Sequence, residues 1–305
     1  MLIQIENSIA SSPPRLPEWL RKPIRNVVAD HELKKMLRTR GLHTVCEEAR
    51  CPNRNDCFAR GAATFMILGD VCSRSCGFCS VKTGRGVAME SLEREPEQVA
   101  EAAAGLNLNY VVITSVNRDE LPDGGAAHFA KTVRAVRARL PQSKIEVLTP
   151  DFKGDTRALH TVLDAAPDTF NHNVETVPRL YNTVRPQADY QQSLDVLREA
   201  RCYSPRVLTK SGFMVGLGER RDEVERLLGD LRAHDVDVVT IGQYLQPTRR
   251  HLAVEEYIHP DVFDRYREYG EQLGFRAVFS GPLVRSSFMA EMVSEIADRG
   301  SKIED

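Results

Sequence analysis

The stretch Ala63-Thr64-Phe65-Met66-Ile67-Leu68 runs directly into Gly69-Asp70-Val71-Cys72-Ser73-Arg74-Ser75-Cys76-Gly77-Phe78-Cys79. A short apolar run closed by glycine reads as a buried strand. Three cysteines spaced C-x3-C-x2-C follow it. The same rhythm continues downstream: apolar runs at Tyr110–Val116, Ile145–Leu148, Thr169–Asn173, Val207–Val215, Val238–Tyr244 and Ala277–Ser280 alternate with amphipathic segments. Those segments are Glu95–Ala104, Ala126–Leu140, Asp155–Ala166, Tyr190–Arg201, Arg221–His234 and Pro260–Leu273. Pro96 sits near a first turn, and Asp155 and Asp222 are plausible caps. Strands alternating with helices imply an α/β protein with a parallel sheet and right-handed crossovers. About six such units in one series favour a partial or full parallel (βα) barrel over a doubly wound sheet. In either fold the chemistry collects at the C-terminal ends of the strands, which is where the cysteine loop lies.

Three thiolates can hold three irons of a cubane cluster, which normally takes four cysteines, so one iron stays open for a substrate or cofactor. Gly77 lets the loop bend, and Phe78 is placed to shield one face. A zinc site is the competing reading, but zinc prefers four ligands, often as paired C-x2-C, and no histidine is adjacent. A second group, Cys46, Cys51 and Cys57, has the spacing C-x4-C-x5-C. It also supplies only three thiols. His43, or a Ser or Asp oxygen from a distant segment, could complete it; a packed or hydrogen-bonded role for His43 is the alternative. Six of the seven cysteines belong to these groups, which favours metal over disulfides. Cys202 stands alone and reads as a small buried hydrophobe.

The 305 residues suffice for one large domain or two ordinary ones, and the net charge of −2 offers no global field for nucleic acid or membrane. No apolar run approaches the ~18 residues of a membrane span. Met1–Ser12 lacks both a basic and an apolar region, so the expected location is the cytoplasm. Residues 1–60 read as an arm followed by the first cysteine group, 61–280 as the barrel, and 281–305 as a C-terminal segment.

C-x3-C-x2-C after the first strand of a βα series, with an aromatic residue before the last cysteine, resembles the radical S-adenosylmethionine superfamily. There the open iron is chelated by S-adenosylmethionine, whose cleavage yields a 5′-deoxyadenosyl radical. The paired cysteine spacing resembles the lipoyl synthase family more closely still. That likeness continues through Thr114–Gly125, Asn171–Thr176, Lys210–Glu219, Gly242–Pro247 and Gly281–Ser287. The resemblance implies two 4Fe-4S clusters, S-adenosylmethionine, and insertion of two sulfur atoms into an octanoyl chain carried on a lysine of a lipoyl carrier domain. It implies a radical-generating cluster on Cys72, Cys76 and Cys79, and an auxiliary, sulfur-donating cluster on Cys46, Cys51 and Cys57. The auxiliary cluster is closed in that family by the second serine of an Arg-Ser-Ser-Tyr motif, which carries over to Ser287. Phe288 stands where the family has tyrosine. An electron donor such as ferredoxin or flavodoxin is a further implied partner.

Gly124 and Gly125 are expected to receive the methionine amino group, a role the superfamily often gives to a Gly-Gly pair. Asn173 and Glu175 follow a strand, where a carboxylate suits a ribose diol, and Arg185 is placed to meet a carboxylate; solvated loop positions are the bland alternatives. Gly212–Glu219 lacks the ending of a phosphate loop and the full dinucleotide pattern, so it reads as a tight strand-to-helix turn near the adenine. Lys210, inside an apolar run, could pair with a carboxylate or mark a strand edge. Three rival functions are a biotin-synthase-like sulfur-insertion enzyme, a two-cluster electron carrier and a zinc-binding interaction module.

Overall fold

The computed structural model describes residues 16–21, 41–44, 47, 53 and 63–287. Cys46, Cys51, Cys57, most of the N-terminal arm and Phe288 lie outside the described residues. Strands β1 (His43–Thr44), β2 (Thr64–Ile67), β5 (Tyr110–Ser115), β6 (Lys144–Leu148), β7 (Thr169–Asn171), β8 (Leu208–Val215), β9 (Val238–Gln243) and β10 (Ala277–Gly281) form one sheet in the order β1-β2-β5-β6-β7-β8-β9-β10. A separate two-stranded ladder pairs β3 (Val71–Cys72) with β4 (Lys82–Thr83). Among the described residues only β1 runs antiparallel to its neighbour. Helices α1 (Glu95–Gly105), α2 (Ala126–Arg139), α3 (Thr156–Leu163), α4 (Tyr181–Val184), α5 (Tyr190–Tyr203), α6 (Arg221–Ala233) and α7 (Pro260–Gln272) make the crossovers from β2 to β10.

The strand order follows the chain from β2 to β10 and never reverses, so there is no switch point and the doubly wound alternative falls. Nor does the sheet close, since β10 pairs only with β9 among the described residues. Yet side chains of β2 and of the segment after β10 line one cavity. The sheet is therefore a curled, partial barrel.

Alternation along the strands explains the layering. Val111 and Ile113 of β5 point outward into the core beneath the helices, while Tyr110, Val112 and Thr114 face the interior cavity. The helices return matching stripes: α6 buries Val224, Leu227, Leu228 and Leu231 at i, i+3, i+4 and i+7. Pro96 lies in the first turn of α1, and Asp155 caps α3 by accepting from the Arg157 amide at 2.9 Å. Asp222 does not cap α6. Arg220 is the N-cap, its amide bonded to Glu223 at 2.8 Å, and Asp222 instead pairs with Arg226 one turn on. Cys202 is exposed rather than buried, because α5 presents Leu194, Val196, Leu197 and Ala200 to the core and Cys202 falls off that stripe. Lys210 has a partner: its ammonium sits 3.0 Å from both carboxylate oxygens of Glu146 inside the barrel. Glu146 also accepts from Tyr110 at 2.9 Å and Asn171 at 2.8 Å.

Candidate metal centre and cofactor cavity

Leu68 follows β2 with a left-handed φ of 68°. Charged side chains hold both its backbone groups: its amide donates to Glu95 at 2.8 Å and its carbonyl accepts from Arg118 at 3.1 Å. Glu95 is itself fixed by His128 at 2.7 Å. This turn launches the cysteine loop. The loop is then tied down on several sides: the Ser73 amide donates to the Asn117 carbonyl and the Gly77 amide to that of Val184, both at 2.9 Å. His251 meets the Cys79 carbonyl at 2.9 Å. Gly77 is needed for close approach, not for a bend: a Cβ there would stand 2.9 Å from the Leu252 side chain and 3.2 Å from the Thr183 carbonyl. Between the first two cysteines, Arg74 is buried and chelated by two carboxylates, Asp119 at 2.7 and 2.9 Å and Asp151 at 2.6 and 2.8 Å. Burial pushes the Asp151 carboxyl upward, but its bonds to Arg74 more than offset this and hold it below the ordinary carboxylate range.

Cys72, Cys76 and Cys79 line one cavity of about 680 Å³. The Cys72 sulfur accepts from the amides of Arg74 at 3.4 Å and Asn117 at 3.3 Å. Burial pushes the Cys76 thiol up and the Cys79 thiol to about 12; in that apolar setting a bound cation is what makes thiolates accessible. Among the described residues no three His, Cys, Asp or Glu converge on a single ion, as mononuclear zinc would require. A cubane asks instead for one thiolate per iron, and three thiols spread around one cavity fit that demand. Phe78 packs with Val184, Leu217 and Tyr244 beside them.

Asn173, Glu175 and Arg185 come to the same cavity. Glu175 takes φ 66° and bridges in parallel to Phe213, extending the sheet beyond β7. Burial raises its carboxyl above the usual range, with Arg185 pulling the other way. The Asn173 amide nitrogen donates to Glu175 and to Ser286, both at 3.0 Å. Arg185 donates to the Asn173 carbonyl at 2.9 Å and to the Tyr181 hydroxyl at 3.1 Å. Buried polar atoms of Ser115, Asn117, Thr149 and His172 belong to residues that line the cavity, and they have no hydrogen-bond partner among the described residues. An adenosyl amino acid, rich in donors and acceptors, fits this lining.

Gly124 and Gly125 do not line that cavity. Both have left-handed φ, 60° and 91°, and they form the turn into α2, which Asp123 caps by accepting from the Gly125 and Ala127 amides at 2.9 Å. A Cβ on Gly125 would stand 2.3 Å from a Leu68 methyl. Gly125 therefore makes room for the turn that launches the cysteine loop, a Cβ on Gly124 would meet the Phe152 ring at 3.1 Å, and Thr114 to Asn117 line the cavity. In the Gly212–Glu219 turn, the Glu219 carboxylate occupies the amides of Gly216 and Leu217, the groups an anion would need.

Ser287 lines the cavity too. Gly242 on β9 admits its segment, since a Cβ there would meet the Val284 carbonyl at 2.2 Å. Asn53, which lies between Cys51 and Cys57 in sequence, donates to the Leu283 carbonyl at 2.6 Å and lines the same cavity. His43 lies on β1, paired with Met66 of β2.

The family model of the radical SAM superfamily matches residues 66–231, and that of the N-terminal domain of lipoyl synthase matches residues 5–51. Lipoyl synthase of Rubrobacter xylanophilus is 57% identical over 285 residues, covering 93% of this chain and 88% of its own. That of Caldicellulosiruptor saccharolyticus is 52% identical over 280 residues, covering 92% and 98%. Among solved structures, SuiB of Streptococcus suis bound to S-adenosylmethionine matches with a TM-score of 0.54 at 12% identity, over 72% of this chain and 51% of that one. HydG, a maturase of FeFe-hydrogenase, matches with a TM-score of 0.53 at 11% identity, over 84% and 56%. These two likenesses concern the fold. With the cysteine cavity and the two close relatives taken together, the chain belongs to the lipoyl synthase family of the radical SAM superfamily.

Proposed function

We propose that this chain inserts two sulfur atoms at the sixth and eighth carbons of an octanoyl group held on a lysine of a lipoyl carrier domain. The observation that carries this reading is one cavity lined by Cys72, Cys76, Cys79, Ser287 and Asn53. Cys72, Cys76 and Cys79 thus share one space with Ser287 and with Asn53, which lies between Cys51 and Cys57 in sequence. The target carbons are unactivated, so no side-chain acid or base can take their hydrogens. A cluster with bound S-adenosylmethionine supplies radical chemistry for that step, and a second cluster supplies sulfur.

The chain's own residues position and shield. Cys72, Cys76 and Cys79 would hold the radical-generating cluster, and Cys46, Cys51, Cys57 and Ser287 the auxiliary one. Phe78 covers one face of the first site. Asn173, Glu175 and Arg185 would orient S-adenosylmethionine. Residues 1–60 and 281–305 would serve the auxiliary site on either side of the barrel, 61–280. No described helix is long and apolar enough to cross a membrane, and a cytoplasmic location with ferredoxin or flavodoxin as reductant suits this chemistry.

Anaerobic incubation with S-adenosylmethionine, a strong reductant and an octanoyl-lysine peptide tests the proposal by mass spectrometry. A gain of two sulfur atoms is expected. Deoxyadenosine without sulfur gain would keep the superfamily and reject the specific activity.

A further inference from the structure

His172 follows β7, is 1% exposed, and lines the cysteine cavity. Its Nδ1 lies 2.9 Å from the Thr149 carbonyl. A carbonyl only accepts, so Nδ1 carries the proton. Burial first, and then the Arg185 charge, lower the imidazole to about 4, so it is neutral near pH 7. A neutral ring with Nδ1 protonated leaves Nε2 as a bare acceptor, and Nε2 is buried with no partner among the described residues. Asn173, its neighbour in sequence, has an amide oxygen in the same condition. Buried acceptors of this kind are rare unless something completes them. The completing group must donate an N–H or O–H and must tolerate a site beside Asp151 and Arg74.

We infer that His172 accepts a hydrogen bond through Nε2 from a donor of S-adenosylmethionine: its methionine amino group, a ribose hydroxyl or the adenine amino group. The inference rests on the radical reading of the cavity. A neutral acceptor also suits a ligand that carries a sulfonium, because a protonated imidazole would repel it. Thr149 acts as the positioning group, holding the tautomer through its carbonyl, while His172 makes the contact.

The test uses the cluster-loaded full chain, wild type beside His172→Asn and His172→Gln. Asn keeps a donor near the Nδ1 position and removes the Nε2 acceptor; Gln places an amide oxygen near Nε2. Affinity for S-adenosylmethionine is read by equilibrium dialysis, and its contact with the cluster by the change it causes in the electron paramagnetic resonance of the reduced protein. His172→Asn is expected to weaken binding about tenfold, with His172→Gln recovering part of the loss. Analogues lacking one donor each, at the 2′-hydroxyl, 3′-hydroxyl, adenine amine or methionine amine, identify the contact: one of them loses affinity with wild type and loses nothing further with His172→Asn. Equal affinity for all three proteins overturns the inference. So does unchanged S-adenosylmethionine binding with weakened octanoyl-peptide binding. Loss of the cluster signal in both variants before ligand is added also overturns it, assigning His172 to the fold. If wild type itself shows no response to S-adenosylmethionine, the proposed function fails instead.

Discussion

At the scale of single residues, the chain separates groups that face the cavity from groups that hold others in place. Gly125 belongs to the second kind. Ala there would carry a left-handed φ and press a methyl on Leu68, so Gly125→Ala is expected to destabilise the protein by about 2–4 kcal/mol. Thermal melting would register this, while affinity for S-adenosylmethionine in the fraction that still loads its cluster stays near wild type. A loss of affinity without a loss of stability would instead support Gly125 as part of the ligand site. Asp151 gives a second, pH-dependent expectation. Its carboxyl is held below its ordinary value near 3.8, so its ionisation stabilises the fold above that value, and the contribution is lost as pH falls through the lowered range. The cluster-free wild type should therefore melt progressively lower from about pH 4 downward, and Asp151→Asn should start lower at neutral pH with a shallower acid decline. The contrast between these residues marks what a sequence can disclose. The spacing of Cys72, Cys76 and Cys79 is itself the chemical signal and needs no coordinates. Gly124 and Gly125 carry no such signal: a glycine pair is the same string whether it admits a ligand or a leucine. His172 was invisible because its importance lies in a tautomer set by Thr149, twenty-three residues away.

Secondary-structure elements were the most legible level, because each strand and helix has a period that survives in the sequence. The seven parallel strands described in the main sheet fall within two residues of the apolar runs, and what slipped were ends and caps, which depend on single bonds such as Arg220 to Glu223. The short β3–β4 ladder escaped because two-residue strands have no period to read. Register was also illegible, and register sets Glu146 in line with Thr169 and Leu208, so that Lys210, two residues further along β8 on the same face, reaches back to it. This buried pair ties β6 to β8 through the barrel interior. Lys210→Met alone is expected to cost about 3–5 kcal/mol in urea unfolding, because it strands the Glu146 charge. Adding Glu146→Gln should recover much of that loss by removing the stranded charge. Additive losses would show that the two side chains do not act as a pair. Between β9 and the C-terminal segment, Gly242→Ala should displace Val284 and the serines after it. Iron analysis would then fall from two clusters toward one, with the spectrum of the S-adenosylmethionine-binding cluster unchanged.

Across the whole molecule, the unclosed barrel is what lets distant segments share one space. A fully closed sheet would seal β10 against β2. Here the side chains of β2, the cysteine loop, the strand ends and Ser287 line a common cavity. Asn53 reaches the Leu283 carbonyl from the far end of the sequence. The chain thereby can set a permanent centre and an expendable one side by side, and the two differ in their proposed protein ligands. Thiolate is a soft donor well matched to iron–sulfur clusters, and a serine oxygen is a harder, less well matched one. A cluster that must give up sulfur gains from a ligand that lets go readily. Ser287→Cys, which changes one atom in kind and little in size, isolates that property. The variant is expected to retain both clusters by iron and sulfide analysis, to bind S-adenosylmethionine with wild-type affinity, and to form deoxyadenosine. Its yield of product carrying two sulfur atoms should fall at least about tenfold, because the softer ligand holds the cluster together. Ser287→Ala should instead fail at loading, keeping the first cluster and losing part of the second. Wild-type turnover by Ser287→Cys would remove ligand lability from the mechanism and leave Ser287 as a spacer.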